Sequence, residues 1–164
     1  YRNNCYWLNG LRPLQLAPGV FLIGVDGFYD TRNGDFENAG LVMRDFYVID
    51  ELYKAYVGKR YTTPLQDAIK KFADKETRLL VGKLRSAKRS GATKIIAVTH
   101  VPPAAQSCFY RGELTDEYHL PLYSNQRMFD ELTSFAVANP AIDITVLSGH
   151  THGKGEFRFS DNLL

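Results

Sequence analysis

The fold is decided by the stretch Val146-Leu147-Ser148-Gly149-His150-Thr151-His152-Gly153, in which an apolar run stops at two histidines set between glycines. The apolar residues 142–147 predict a buried strand. The flanking glycines let the backbone turn sharply where the imidazoles begin. His150 and His152 are therefore expected at the carboxyl end of a strand.

A second apolar run, residues 94–99, ends in the same way at His100. In open α/β sheets the chemically active groups collect outside the carboxyl ends of the strands. His100, His150 and His152 are thus expected to lie near one another. Neutral imidazole suits zinc, iron, manganese and similar ions, so the pattern predicts a metal site.

The segments before the first histidine favour alternating strands and helices. Residues 20–25 predict a buried strand, and residues 45–56 a short helix. Thr63 as a cap, Pro64 in the first turn and Gln66 three residues after the cap predict the start of a long helix. That helix is expected to reach about residue 89, with a possible break at residues 73–74.

Between the two histidine strands, residues 101–123 form a long connection rich in proline and tyrosine. Ser124 is expected to cap a helix that continues to Asn139. Residues 156–159 alternate in the manner of a strand. The order of the elements predicts an α/β fold and a single domain over residues 1–164.

Composition narrows the class of protein. The 164 residues are 45% hydrophobic and 13% aromatic, enough for a packed core. No apolar stretch approaches the ~18 residues needed to span a bilayer, and no signal pattern opens the chain, so a soluble protein with no membrane partner is expected. Cys5 and Cys108 have neither metal-site nor disulfide spacing, which favours reduced thiols and a cytoplasmic location.

Charge is distributed unevenly along the chain. Residues 54–94 contain 12 basic and 3 acidic residues, whereas the remainder contains 8 basic and 15 acidic ones. In the predicted helix Leu79, Leu80, Leu84 and Ala87 form an apolar stripe, and Lys83, Arg85, Lys88 and Arg89 are expected to face mostly water. This basic face is interpreted as a solvated helix surface, with a phosphate-rich or nucleic-acid surface as the alternative.

Two motifs carry a resemblance to a known family. Gly149-His150-Thr151-His152 resembles the terminal Gly-His-x-His motif of calcineurin-like metallophosphoesterases, and Val98-Thr99-His100-Val101-Pro102-Pro103 resembles the strand-end histidine element that precedes it. Residues 20–30 are similar to a strand and aromatic turn of bacterial members.

The resemblance implies a four-layer α/β/β/α sandwich with a two-metal site. His100 and His150 would bind one ion and His152 the other, the metals being manganese, iron, zinc or nickel. The reaction would be hydrolysis of a phosphate mono- or diester by a metal-activated hydroxide, with nucleic acid involved only as a substrate.

The family's upstream motifs are absent from this sequence. Asp-x-His, Gly-Asp-x-x-Asp and Gly-Asn-His followed by an acid do not occur, and Gly34-Asp35 is followed by Asn38 where an aspartate is required. The chain also begins with Tyr1 and not with methionine. It is therefore expected to be the C-terminal part of a metallophosphoesterase domain lacking its N-terminal strands, with weak metal binding and little activity alone.

Two further residues are candidate substrate contacts. His119 lies in the long connection and Tyr29 follows the first strand. A surface position for His119 and a packing role for Tyr29 are the alternatives. Two other functions stay open: a non-catalytic interaction module with the same fold, and a mononuclear three-histidine zinc site.

Overall fold

A mixed four-stranded sheet with helices packed against it forms the core of the computed structural model, which describes residues 5–56 and 61–164. Tyr1 and Val57 lie outside the described residues, as do Lys59 and Arg60 of the basic segment. The strands are β1 (Leu14–Ala17), β2 (Val20–Gly24), β3 (Lys94–Val98), β4 (Phe109–Tyr110), β5 (Glu113–Leu114) and β6 (Asp143–Leu147). The helices are α1 (Asp45–Val48), α2 (Asp50–Ala55), α3 (Thr63–Arg89) and α4 (Gln126–Val137).

The main sheet has the strand order β1-β2-β3-β6. Strands β2, β3 and β6 are parallel, whereas β1 is antiparallel to β2. Parallel neighbours need crossover connections, which α3 and α4 supply. The predicted combination of strands and helices is confirmed, and so are the strands expected at residues 20–25, 94–99 and 142–147.

Two apolar clusters hold these elements together. The first lies between the sheet and the inner faces of α3 and α4, and includes Ile95, Ile144, Leu84 and Leu132. The second is richer in aromatic residues and lies beyond the carboxyl ends of the strands, where it includes Tyr29, Phe46, Tyr56 and Leu122. The second cluster packs around the loops that follow the histidine strands.

The ends of the helices differ from the sequence prediction. Helix α3 is continuous through residues 73–74, and its N-cap is Thr62, which makes no side-chain capping hydrogen bond. The capping box predicted at Thr63 is therefore wrong, and Gln66 Nε2 instead donates to the Thr31 carbonyl at 3.3 Å. The Gln66 side-chain amide thus bonds to a residue that is distant in the sequence, and the local spacing of residues 63–66 does not predict this partner.

Helix α4 is capped by the residue after the predicted one. The Asn125 side chain accepts a hydrogen bond from Met128 N at 2.8 Å, whereas Ser124 Oγ donates to the Leu120 carbonyl. The helix ends at Val137, two residues before the predicted Asn139.

Three smaller predictions also fail. The helix expected over residues 45–56 is divided at Ile49, which has extended backbone angles. Residues 156–159 form no strand, and β1 was not foreseen. Leu79, placed on the apolar stripe, is 37% exposed, whereas Leu80, Leu84 and Ala87 are buried as expected.

Lys83 corrects the prediction that it faces mostly water. Only 6% of the residue is exposed, and its ammonium group donates to the carbonyls of Leu8 and Gly24 at 2.6 Å and of Asn9 at 2.9 Å. Burial lowers the pKa of the amine, which Glu76 and Asp26 oppose by favouring the charged form. An ammonium group has three donors, and here each meets a backbone acceptor. Through these hydrogen bonds Lys83 fastens the N-terminal segment, at Leu8 and Asn9, to the end of β2 at Gly24.

No helix in residues 5–56 and 61–164 combines the length and the apolar character needed to cross a bilayer.

Replacing Lys83 with methionine should lower the free energy of unfolding by about 2 kcal/mol, because three carbonyls lose their donor. Urea unfolding followed by circular dichroism measures this loss. The control is Lys88→Met, an exposed position on the same helix, which is expected to change stability by less than about 0.5 kcal/mol. Equal losses in the two variants would contradict the fastening role.

Candidate functional site

The two histidine strands end side by side. Val98 of β3 is paired with Leu147 of β6, and the pairing continues beyond both strands. Thr99 N donates to the Leu147 carbonyl at 3.0 Å, and Gly149 N donates to the His100 carbonyl at 2.9 Å. The backbone of His100 is thereby fixed against the backbone that leads into His150.

This backbone arrangement brings two imidazoles into contact. His100 Nε2 lies 3.0 Å from His150 Nδ1, and the ring centroids are 4.8 Å apart with planes inclined by 74°. The expectation that histidines from the two strand ends meet holds for this pair. The other nitrogen of His150, Nε2, lies 2.8 Å from the Leu122 carbonyl oxygen.

The Leu122 carbonyl determines the tautomer of His150. A carbonyl oxygen only accepts hydrogen bonds, so His150 Nε2 carries the proton and Nδ1 presents a lone pair toward His100. Burial lowers the pKa of His150, and the nearby His100 and His152 lower it further, against the opposing effect of the bond to Leu122. The ring is consequently neutral near pH 7, the form that ligates metals.

The geometry of this pair fits a shared cation. Two nitrogens that each lie ~2.0–2.1 Å from one ion are about 3 Å apart when they occupy neighbouring coordination positions. The 3.0 Å separation of His100 Nε2 and His150 Nδ1 matches that spacing. A metal-ligating histidine also commonly donates its remaining N–H to a backbone carbonyl, which is the role Leu122 fills here.

The backbone at the second motif is strained. His150 and His152 have φ angles of 69° and 56°, in the left-handed region that non-glycine residues rarely adopt. Gly153 follows, and a Cβ atom there would lie 1.9 Å from the Phe109 carbonyl oxygen, so only glycine fits. Strain of this kind is concentrated at functional sites, where surrounding contacts over-determine it.

His152 is not part of the imidazole pair. It is exposed and affects His150 through its charge. Among the residues that the structure describes, no group of three or more His, Cys, Asp or Glu side chains is arranged to hold a metal ion. The assignment of His152 to a second ion stays a prediction.

Two tyrosines pack against His150. The Tyr29 ring is stacked 6.1 Å from the imidazole, and the Tyr123 ring meets it edge-on at 5.3 Å. Tyr29 is 1% exposed, and its hydroxyl donates to Asp45 Oδ2 at 3.2 Å. Burial and the Asp45 carboxylate both raise the pKa of Tyr29, which keeps it protonated. This placement favours a positioning role for Tyr29, and its contact with a substrate stays a prediction.

His119 lies one ring further out. Its ring centroid is 5.9 Å from that of Tyr123, which separates it from His150. His119 Nδ1 is 2.6 Å from Asp116 Oδ1, and this hydrogen bond is the main reason that the pKa of Asp116 is lowered. His119 is partly exposed, and its contact with a substrate also stays a prediction.

An open cavity of about 420 Å³ lies over the strand ends, lined by residues that include His100, Ser148 and Asp26. Asp26 Oδ1 accepts from Trp7 Nε1 at 2.9 Å and Oδ2 from Asn9 Nδ2 at 2.6 Å. Asp26 directly follows a predicted strand, and the sequence offered two interpretations of it, a residue bordering the site or one that forms the turn. The structure places it in the lining of this cavity. The ring of Tyr123 was not identified from the sequence.

Comparisons of the chain with protein-family models, with curated proteins and with solved structures found no match.

His150 should titrate below pH 6.5 in the metal-free protein, because the surroundings favour its neutral form. Because the folded-state pKa of His150 is lowered, the unfolded state binds more protons below pH 6.5. The contribution of the neutral His150 ring to the free energy of unfolding is therefore complete above pH 6.5 and is lost as the pH falls through the folded-state pKa. NMR titration of the four histidine side chains tests the expectation. A His150 pKa at or above 6.5 would contradict it.

Proposed function

We propose that this chain supplies part of the catalytic centre of a metal-dependent phosphoesterase, with His100 and His150 as ligands of one cation. The observation that carries the proposal is the 3.0 Å approach of His100 Nε2 to a His150 Nδ1 left unprotonated by the Leu122 carbonyl. Two strand-end histidines, one on a strained backbone, are supporting features.

The chain's own residues would hold and orient the centre. The paired ends of β3 and β6 fix both imidazole backbones, and the Leu122 carbonyl keeps the proton on the far side of His150. Tyr29 and Tyr123 restrict the rotation of the His150 ring from two sides. The cavity beside His100 leaves room for a phosphoryl group over the strand ends.

A bound metal would polarise a phosphoryl oxygen and generate hydroxide at neutral pH. Imidazole ligands are compatible with manganese, iron, zinc or nickel. We propose that His152 serves a second ion. The four-layer sandwich belongs to the same proposal, in which the sheet described here forms one of two central layers. The substrate would be a phosphate mono- or diester.

The chain should bind Zn²⁺ weakly, and His100→Ala and His150→Ala should each reduce that affinity at least about tenfold, since each removes one of two imidazole ligands. Calorimetric titration with Zn²⁺ measures the affinity, and NMR shows which imidazoles respond first. His119→Ala is the matched control, because it removes a partly exposed histidine outside the pair. Loss of affinity only in the control would overturn the assignment.

Metal counting separates this function from its alternatives. In the intact protein isolated with its native metal, two bound ions and turnover of chromogenic phosphate esters that His150→Ala abolishes are the expected results, whereas the present chain alone should bind metal weakly and show little activity. One ion per chain would favour the mononuclear zinc site. No ion, with no effect of His150→Ala, would favour the non-catalytic module.

A further inference from the structure

The outward face of α3 carries a line of five cations. Lys71, Lys75, Arg78, Arg85 and Arg89 are all exposed. An α-helix advances 100° per residue, so their spacing places them within about 40° of one line along the helix. With a rise of ~1.5 Å per residue, the line is about 27 Å long. We call these five residues the basic stripe.

The acidic residues of α3 do not neutralise the basic stripe. Asp74 is turned inward, where Arg32 Nη2 and Arg127 Nη1 each bind it at 2.9 Å. Glu76 Oε2 lies 3.5 Å from the amide of Gly27. Asp67 is exposed on the same face one turn before Lys71, so its charge acts only on the N-terminal end of the stripe. Within the described parts of the chain, no stripe residue forms an ion pair.

The middle of the basic stripe carries no exposed cation. Arg78 and Arg85 are about 10 Å apart along the axis, and the one lysine between them, Lys83, is buried. Gly82 is exposed at the centre of this gap, and a Cβ atom there would meet nothing within 4 Å. The fold therefore does not require glycine, although glycine in a helix costs about 0.5–1 kcal/mol relative to alanine. A residue without a side chain lets a partner approach the helix backbone between the two groups of cations.

We infer that the basic stripe binds the phosphate backbone of double-stranded nucleic acid, with the groups Lys71–Lys75–Arg78 and Arg85–Arg89 on either side of a groove. The two backbones that flank a groove provide two parallel lines of phosphate, and the grooves of B-DNA are ~6 and ~12 Å wide. Charge complementarity with a polyanion is thus combined with a gap of about 10 Å, which is close to the width of the major groove. The remainder of the chain is acidic, with 8 basic and 15 acidic residues outside residues 54–94, which would orient the stripe toward the duplex.

Other polyanions fit the stripe less well. Single strands are bound by aromatic side chains on which bases stack, and the stripe contains none. A membrane-binding helix inserts large apolar side chains, and near the stripe only Leu79 is appreciably exposed, at 37%. The binding surface is independent of the proposed metal site, which lies at the strand ends.

Fluorescence anisotropy of the full chain with a labelled 20-base-pair duplex tests the inference. The double variant Arg78→Gln/Arg85→Gln should weaken binding at least about tenfold and reduce the salt dependence of log K by about two ion equivalents. The matched control Arg12→Gln/Arg44→Gln removes the same charge from exposed arginines outside α3 and should change affinity less than about twofold. Equal weakening by the control would overturn the stripe as the binding site.

Gly82→Leu tests the close approach without changing charge. It should weaken duplex binding several-fold while the helical circular dichroism and thermal unfolding remain intact, so it does not depend on the folding of the arginine variant. Parallel titrations with a single strand, duplex RNA and phosphatidylserine vesicles identify the partner. Binding to either DNA or RNA duplex supports the inference, whereas no duplex binding, or equal or tighter binding to single strands or vesicles, overturns it.

Discussion

The candidate site depends on the parallel register between β3 and β6. Neighbouring strands lie ~4.8 Å apart, and backbone hydrogen bonds continue from the strands to Thr99 and Gly149. The position of a residue that directly follows two such hydrogen-bonded strands is fixed by the sheet and not by a flexible loop. This is why His100 and His150 meet although 50 residues separate them in the sequence.

The second constraint acts on the orientation of the His150 ring. Its backbone adopts the left-handed region, and its side chain is bounded by Tyr29, Tyr123 and the Leu122 carbonyl. Asp45 accepts a hydrogen bond from the Tyr29 hydroxyl, which links α1 to the residues that surround the His150 ring. The aromatic cluster beyond the strand ends therefore does more than fill space, because it determines which nitrogen of His150 faces His100.

The parts of the fold that follow from short-range periodicity could be predicted from the sequence. Apolar runs identified β2, β3 and β6, and the proline near Thr63 located the start of α3 within one residue. Tertiary contacts decided the rest. The buried ammonium group of Lys83 donates to carbonyls that lie 59 to 75 residues away in the sequence. The Leu122 carbonyl that orients His150 belongs to the backbone, and a backbone group has no signal in the sequence. Strand-end histidines were visible in the sequence, but their tautomer and packing were not.

The imidazole pair links metal binding to protons. Without an ion, His150 Nδ1 has a lone pair, so the 3.0 Å contact is a hydrogen bond only when His100 Nε2 carries a proton. A cation shared by the pair would require the proton to leave that nitrogen, and in a neutral ring this is a change of tautomer that places the proton on His100 Nδ1. The hydrogen bond between His100 Nε2 and His150 Nδ1 holds the two rings in position. A metal ion bound by both nitrogens would take the place of this hydrogen bond. Two nitrogens that already lie at ligand spacing need little rearrangement for this exchange, because only the proton of His100 changes its position and both rings keep the positions set by β3 and β6.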